Sequence, residues 1–326
     1  MAKPAIFVTR AIFPEVVARL QQHFEVDYHP EDAALPTAEL HARLAGKEGA
    51  ITLLSDRIDA AALAGAPRLR AVCNVAVGYN NFDLPAITAA KVMATNTPEV
   101  LNDTTADTAW ALLLATARRI VGADQWVRAG KWQGWKFHDA WLGNDVHHAT
   151  LGILGMGRIG QAVARRAGGF DMQVIYHNRS RLQAETEAAC GARYVDKATL
   201  LREADFLVLL LPYSAPNHHA IGAAEIAAMK PSAHLINIAR GGIVDDAALV
   251  EALKARRIAG AGLDVFENEP ALNAGYLGLD NVVLTPHIGS STRATRLAMA
   301  NTAADNLIAA LSGRRPPNLL NPEVLG

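Results

Sequence analysis

Short apolar runs alternate with helix-like stretches along nearly the whole chain, and no other feature restricts the fold so strongly. A chain of repeated strand–helix–strand units builds parallel sheets covered by helices. Ile6 to Thr9, Ala50 to Leu54 and Leu69 to Asn74 read as strands, separated by helices at Glu15 to His23, Thr37 to Ala45 and Asp59 to Ala64. A stronger series follows: strand Thr150 to Leu154, helix Ile159 to Ala167, strand Gln173 to His177, helix Arg181 to Ala189 and strand Asp205 to Leu211. It continues with helix Ala223 to Met229, strand His234 to Ile238, helix Asp246 to Ala255, and strands Gly260 to Val265 and Val282 to Thr285. The run Phe206-Leu207-Val208-Leu209-Leu210-Leu211 is apolar throughout, the pattern of a parallel strand buried on both faces. The reading is an α/β protein of two doubly wound parallel-sheet domains. One helical pattern from Asn102 to about Arg128 joins the two series, about 40 Å if continuous. An irregular Trp-, Gly- and His-rich stretch, Lys131 to His148, comes next, and a last helix, Thr292 to Leu311, ends at Gly313.

The 326 residues amount to about two domains of ordinary size. With 51% hydrophobic and 19% charged residues and a net charge of −1, the chain is too apolar for disorder and too nearly neutral to hold nucleic acid by counterion release. Trp132 and Trp135 beside Lys131 and Lys136 therefore read as an interface loop, not a base-stacking platform. No stretch approaches the 18 or so apolar residues of a membrane span. The amino terminus reaches Thr9 and Arg10 before a signal-peptide core can form. Cys73 and Cys190 are the two cysteines, too few for a disulfide framework or a thiolate zinc site, so a cytoplasmic location is expected. His147-His148 and His218-His219 are adjacent pairs that share no helical face and have no neighbouring carboxylate cluster in sequence, so no metal is expected.

Gly155-Met156-Gly157-Arg158-Ile159-Gly160 is a GxGxxG motif. Alone it is weak; strand Leu151 to Leu154 running into it and a helix leaving it make it strong. Gly155 makes the tight turn, Gly157 lets a pyrophosphate approach the helix N-terminus, and Gly160 allows close helix–strand packing. About 20 residues on, an NAD site would carry an acid for the ribose 2′-hydroxyl. Here the strand ends at His177 and continues Asn178-Arg179-Ser180-Arg181. Two guanidiniums and a hydroxyl suit the 2′-phosphate of NADP instead, so NADPH is the expected cofactor, with NADH possible.

Three later strands each end in a polar residue. Arg240 follows Asn237-Ile238-Ala239; Glu267, Asn268 and Glu269 follow Asp264-Val265-Phe266; His287 follows Thr285-Pro286. Ligands bind beyond the carboxyl ends of such strands. Reduction of a 2-oxo acid needs a fixed cation for the substrate carboxylate and carbonyl, here Arg240. It needs an acid for the carbonyl oxygen as hydride arrives, here His287, and a carboxylate to fix and charge that imidazole, here Glu269.

The glycine motif, Ala239-Arg240-Gly241-Gly242 with Val244-Asp245, Gly262-Leu263-Asp264-Val265-Phe266 with Glu269-Pro270, and Pro286-His287-Ile288-Gly289 resemble the signatures of the D-isomer-specific 2-hydroxyacid dehydrogenases. The likeness covers essentially the whole chain, including Val77 to Asn81 and Asn102 to Asp107. Leu53 to Asp56, Asp145 to His148 and Asn178 to Ser180 are most similar to the glyoxylate/hydroxypyruvate reductases, some of which also reduce 2-ketogluconate. The resemblance implies Arg240, Glu269 and His287 as the catalytic set. It implies cofactor contacts at Gly155, Gly157, Arg158, Ile159, Gly160, Asn178, Arg179, Ser180, Ile238, Ala239, Asp264 and Gly289, with Asp264 near the nicotinamide amide. It implies backbone donors at Val77 and Gly78 for the substrate carboxylate, and Leu54 and Ser290 lining the substrate pocket. It also implies a homodimer in which Trp141 reaches the partner's active site, against the simpler reading of Trp141 as interface or core packing. The implied architecture is a Rossmann cofactor domain, residues 102–285, inserted into a flavodoxin-like substrate domain of residues 1–101 and 286–326, with the active site in the cleft between them. Formate dehydrogenases carry Gln where Glu269 stands. Phosphoglycerate dehydrogenases usually carry an acid where Asn178-Arg179 stands, which leaves an NAD-dependent enzyme of that kind as one alternative. A nucleotide-sensing regulatory protein on the same fold is the other, since some corepressors retain the triad.

Overall fold

The computed structural model describes residues 2–325, which form two compact units, residues 2–101 with 291–325, and Asn102–Ser290. In the first unit, strands β1 (Ala5–Val8), β2 (Glu25–Tyr28), β3 (Gly49–Thr52), β4 (Ala71–Asn74) and β5 (Met93–Thr95) make a wholly parallel sheet in the order β2-β1-β3-β4-β5. Side chains alternate between its faces as strand geometry requires. Ile6, Val8, Ile51 and Cys73 pack with Ala303, Ala304 and Leu307 of the helix Arg293–Leu311 on one side. Phe7, Ala50, Val72 and Ala94 pack with Leu40, Leu44 and Ile87 on the other. The returning C-terminal helix is thus an integral layer of this unit, with Thr292 capping its first turn.

The second unit holds seven parallel strands: β6 (Thr150–Leu154), β7 (Gln173–His177), β8 (Ala192–Tyr194), β9 (Phe206–Leu209), β10 (His234–Asn237), β11 (Gly260–Leu263) and β12 (Val282–Leu284). Their order is β12-β11-β10-β9-β6-β7-β8, so the winding reverses between β6 and β9, the position where doubly wound sheets bind ligands. Phe206 and Val208 pack into the core on one face, Leu207 and Leu209 into the core on the other, which accounts for the uninterrupted apolar run. The helix Asn102–Ala117 lies against the helix Arg158–Ala167: Trp110 Nε1 donates to the Val163 carbonyl (3.1 Å), and Arg166 pairs with Asp103 and Asp107.

Several expectations change. The single helix from Asn102 to Arg128 is two helices, Asn102–Ala117 and Ile120–Arg128. The chain breaks at Arg119, whose backbone is left-handed (φ 52°), and the Ala117 carbonyl accepts from the Asn144 N–H (2.9 Å) where a helix would have continued. The helix read from Arg181 begins at Ala184. Strands β2, β5 and β8 and the helices Leu84–Ala89 and Lys197–Glu203 are additional to the sequence reading. All three of these strands are sheet edges. Cys73 and Cys190 are buried free thiols; burial pushes Cys73 up to about 12. No helix among the described residues is long and apolar enough to cross a membrane.

Candidate active site

The glycine motif follows β6 directly. Gly155 adopts φ 105°, and a Cβ there would lie 2.7–2.9 Å from the Leu210–Leu211 backbone beyond β9. A Cβ at Gly160 would lie 2.7 Å from the Gly155 carbonyl, so the helix can start this close to the strand only with glycine there. A Cβ at Gly157 would meet nothing within 4 Å. Open space therefore faces the first turn of the helix Arg158–Ala167, whose leading N–H groups lack intrahelical acceptors. This is the arrangement that binds phosphate, and these residues fit a dinucleotide. Asn178 fastens the motif, its Oδ1 accepting the Met156 N–H (2.6 Å). Arg179 and Ser180 are exposed beyond β7. Arg181 is not available as expected: its Nε and Nη2 are directed at the two oxygens of Glu187 (2.9 and 2.8 Å).

The polar residues beyond β11 and β12 meet through a hydrogen bond, and the charge of Arg240 beyond β10 acts on them. His287 Nδ1 lies 2.8 Å from Glu269 Oε2, and Glu269 Oε1 accepts the Phe266 N–H (2.9 Å). Burial alone would raise the Glu269 carboxyl; the hydrogen bond and charge of His287, the Phe266 N–H and Arg240 outweigh it and hold Glu269 below its ordinary value. Arg240 is half-buried, its Nη1 donating to the Ala239 carbonyl (2.9 Å). Burial lowers its guanidinium, and the Glu269 charge opposes that. Gly241 has a steric purpose: a Cβ there would overlap the Phe266 carbonyl and lie 2.8 Å from the Glu267 nitrogen. Only glycine lets the Arg240 loop press against the loop that carries Glu269.

Asp264, 1% exposed, organises the histidine loop. Its Oδ1 accepts from Thr285 Oγ1 (2.6 Å) and the Ile288 N–H (2.7 Å), and its Oδ2 from the Gly289 N–H (2.8 Å). Its carbonyl accepts the His287 N–H (2.9 Å). His287 is held with a left-handed backbone (φ 55°). These bonds keep residues 285–290 in the second unit. Asp246 is a brace the sequence reading did not single out: its oxygens accept from Tyr276 Oη (2.9 Å) and the Glu267 N–H (3.0 Å). An acid at a helix start, Asp245-Asp246, was the available signal, but it reads equally as a cap.

Ile238, Ala239 and Gly289 are buried beside these loops, Ile159 packs into the core, Arg158 is exposed on the first helical turn, and Ser290 is half-buried. In the first unit, Asn96 Nδ2 donates to the Val77 carbonyl (2.8 Å) and Asn74 Nδ2 to the Gly78 carbonyl (3.0 Å). Among the described residues neither the Val77 nor the Gly78 N–H has a partner. Leu54 is exposed. Trp141 packs on its own chain, its ring against Gly122 and Trp126 with Arg119 over it (5.3 Å). Folding also supplies the carboxylate missing beside His218 and His219: His219 Nε2 lies 3.3 Å from Glu267 Oε1. The two rings stack 3.9 Å apart at 22°, and the ligand atoms of His218, His219 and Glu267 lie within 4.8 Å of one another.

A glycine turn at the switch point of a parallel sheet, with an arginine and a Glu–His pair at neighbouring strand ends, suits a nicotinamide-dependent oxidoreductase. Residues 110–289 match the model of the D-isomer specific 2-hydroxyacid dehydrogenase NAD binding domain, and the chain belongs to that family. It is 48% identical to a glyoxylate reductase of Thermococcus gammatolerans, over 99% of this chain and 97% of that one. It is 50% identical to a glyoxylate/hydroxypyruvate reductase B of Pectobacterium carotovorum, over 99% of each. Among solved structures it resembles an NADPH-dependent glyoxylate/hydroxypyruvate reductase from Sinorhizobium meliloti in complex with NADP and malonate, with TM-score 0.86, 35% identity and 98% of each chain covered.

Proposed function

We propose that this protein reduces small 2-oxo acids, glyoxylate and hydroxypyruvate first and 2-ketogluconate next, with NADPH as preferred cofactor, as a cytoplasmic homodimer. The observation that carries the reading is the 2.8 Å pair between His287 Nδ1 and Glu269 Oε2 at the strand ends beside Arg240. A bound nicotinamide supplies the hydride for the carbonyl carbon. Glu269 accepts from Nδ1 and so leaves Nε2 to hold the proton for the carbonyl oxygen. Such an acid is worth about 10²–10⁴ in rate. The guanidinium of Arg240, charged at every working pH, binds the substrate carboxylate and carbonyl. In the first unit, the Val77 and Gly78 N–H groups are donors suited to a carboxylate. Asp264 holds the histidine in place and has one acceptor position left for the nicotinamide amide.

NADPH preference is supported by the absence of a carboxylate at the end of β7 and by the exposed Arg179 and Ser180, and by a relative named for NADPH. Dimerisation is supported by the helix Ile120–Arg128, which buries none of its residues, and by the exposed Trp135 (81%) and Phe137 (72%) after it. Light scattering at twice the chain mass is the expected result.

The experiment is a kcat/KM panel of glyoxylate, hydroxypyruvate, 2-ketogluconate and pyruvate against NADPH and NADH. Turnover of the first two, faster with NADPH, is expected. Tight nucleotide binding with no turnover of any 2-oxo acid overturns the reading in favour of a nucleotide sensor.

A further inference from the structure

Arg179 and Arg181 look interchangeable in sequence, and the fold gives them opposite circumstances. Arg181 makes a bidentate pair with Glu187. Glu187 is buried, and its Oε1 also accepts the Tyr176 hydroxyl (2.6 Å), whose oxygen in turn accepts the Leu182 N–H (2.9 Å). The Arg181 guanidinium lies over the Tyr194 ring (6.0 Å), and Tyr194 Oη donates to the Asn178 carbonyl (3.3 Å). Asn178 is itself tied to the glycine motif through the Met156 N–H. The segment 178–182 is thus fastened at both ends. Between the fastenings stand Arg179 and Ser180, exposed, with no carboxylate among the described residues paired with Arg179.

We propose that Glu187 is a positioning residue for cofactor selection: by holding Arg181 and Tyr176 it sets the loop that presents Arg179 and Ser180 to the 2′-phosphate of NADP, and Arg181 is not a phosphate ligand. The inference rests on the NADPH preference proposed above. Its logic is entropic. A loop already ordered does not have to be ordered when the cofactor binds. Arg181 and the Tyr176 hydroxyl hold the Glu187 carboxyl down at about 2, so the brace carries its charge pair throughout the working pH range.

The Glu187→Gln variant separates the two roles by sign. It removes a negative charge near the phosphate position and releases Arg181. If Arg181 is a latent phosphate ligand, NADP⁺ binds more tightly in the variant; if Glu187 positions the loop, NADP⁺ binds more weakly. Titration calorimetry gives Kd for NADP⁺ and NAD⁺ with wild type, Arg179→Ala, Glu187→Gln and Tyr176→Phe. The expected result is a loss of about tenfold or more in NADP⁺ over NAD⁺ selectivity for Arg179→Ala. A loss of about two- to tenfold is expected for Glu187→Gln and for Tyr176→Phe, with NAD⁺ affinity unchanged. Partial misfolding lowers the stoichiometry for both nucleotides and leaves the ratio of affinities intact. Selectivity that rises or stays constant in Glu187→Gln, while Arg179→Ala loses it, overturns the positioning role alone. Absence of selectivity in wild type, unmoved by Arg179→Ala, overturns the NADPH reading and this inference with it.

Discussion

Replacing Asp264 by Asn tests how the histidine is held. The carboxylate accepts three hydrogen bonds, two at Oδ1 from Thr285 and Ile288 and one at Oδ2 from Gly289, at 2.6–2.8 Å. An amide can keep one oxygen in place, and the better orientation keeps it at Oδ1. The buried Gly289 N–H then faces an NH₂ group. A hydrogen bond to a charged acceptor contributes about 1.5–3 kcal/mol, and a buried donor left without an acceptor costs about 1–3 kcal/mol. The two figures describe one broken bond from its two sides and do not add, so the loss of stability is about 1.5–3 kcal/mol. His287 adds a functional consequence. Its left-handed backbone (φ 55°) is disfavoured for a residue with a Cβ and persists only where its surroundings impose it. With the loop loosened, the imidazole is displaced, and a misplacement of about 1 Å can lower the rate about 10²-fold. Hydrogen exchange should show faster exchange at the Ile288 and Gly289 amides, urea unfolding a reduced midpoint, and kinetics a lower kcat/KM for glyoxylate. A variant within about 0.5 kcal/mol of wild type, with unchanged exchange at Gly289, would refute the brace.

Gly241→Ala forces the Arg240 loop away from Phe266, with an expected loss of about 1–3 kcal/mol in chemical unfolding and a lower kcat/KM; wild-type values for both would show that the loops do not need this approach. His234 is buried against Phe206, and burial lowers it to about 4 from 6.5. The unfolded chain therefore takes up a proton below pH 6.5 that the folded one refuses until about 4, and about 3 kcal/mol of stability is lost across that window. His234→Gln should flatten this part of the stability–pH curve, and an unchanged slope contradicts the assignment. Glu187 works in a lower window. Its depressed carboxyl stabilises the fold above pH 4.5, and that contribution fades toward about 2; Glu187→Gln should be less acid-sensitive there by circular dichroism.

The central strands were legible because burial on both faces leaves an unbroken apolar run, as in Phe206 to Leu211. β2, β5 and β8 were not, because edge strands such as Glu25-Val26-Asp27-Tyr28 are short and partly exposed and resemble loops. The glycine motif and the residues Arg240, Glu269 and His287 stood out because each sits where a strand ends. What holds them did not: Asp246 reaches Glu267 across 21 positions and Asp264 reaches Gly289 across 25, separations that no local pattern records. The same limit explains Arg181. In sequence it stands beside Arg179 as a second cation for phosphate; only the fold brings Glu187 onto it. The break at Arg119 likewise depends on a distant partner, Asn144, because the local residues are compatible with a continuous helix.

The most direct measurement is kcat/KM for glyoxylate with NADPH in wild type and in His287→Ala, with folding checked by circular dichroism. Efficient turnover in wild type and a loss of more than about a hundredfold in the folded variant is the predicted result. A folded variant that keeps activity within a few-fold of wild type, or a wild type that turns over no 2-oxo acid, contradicts the account.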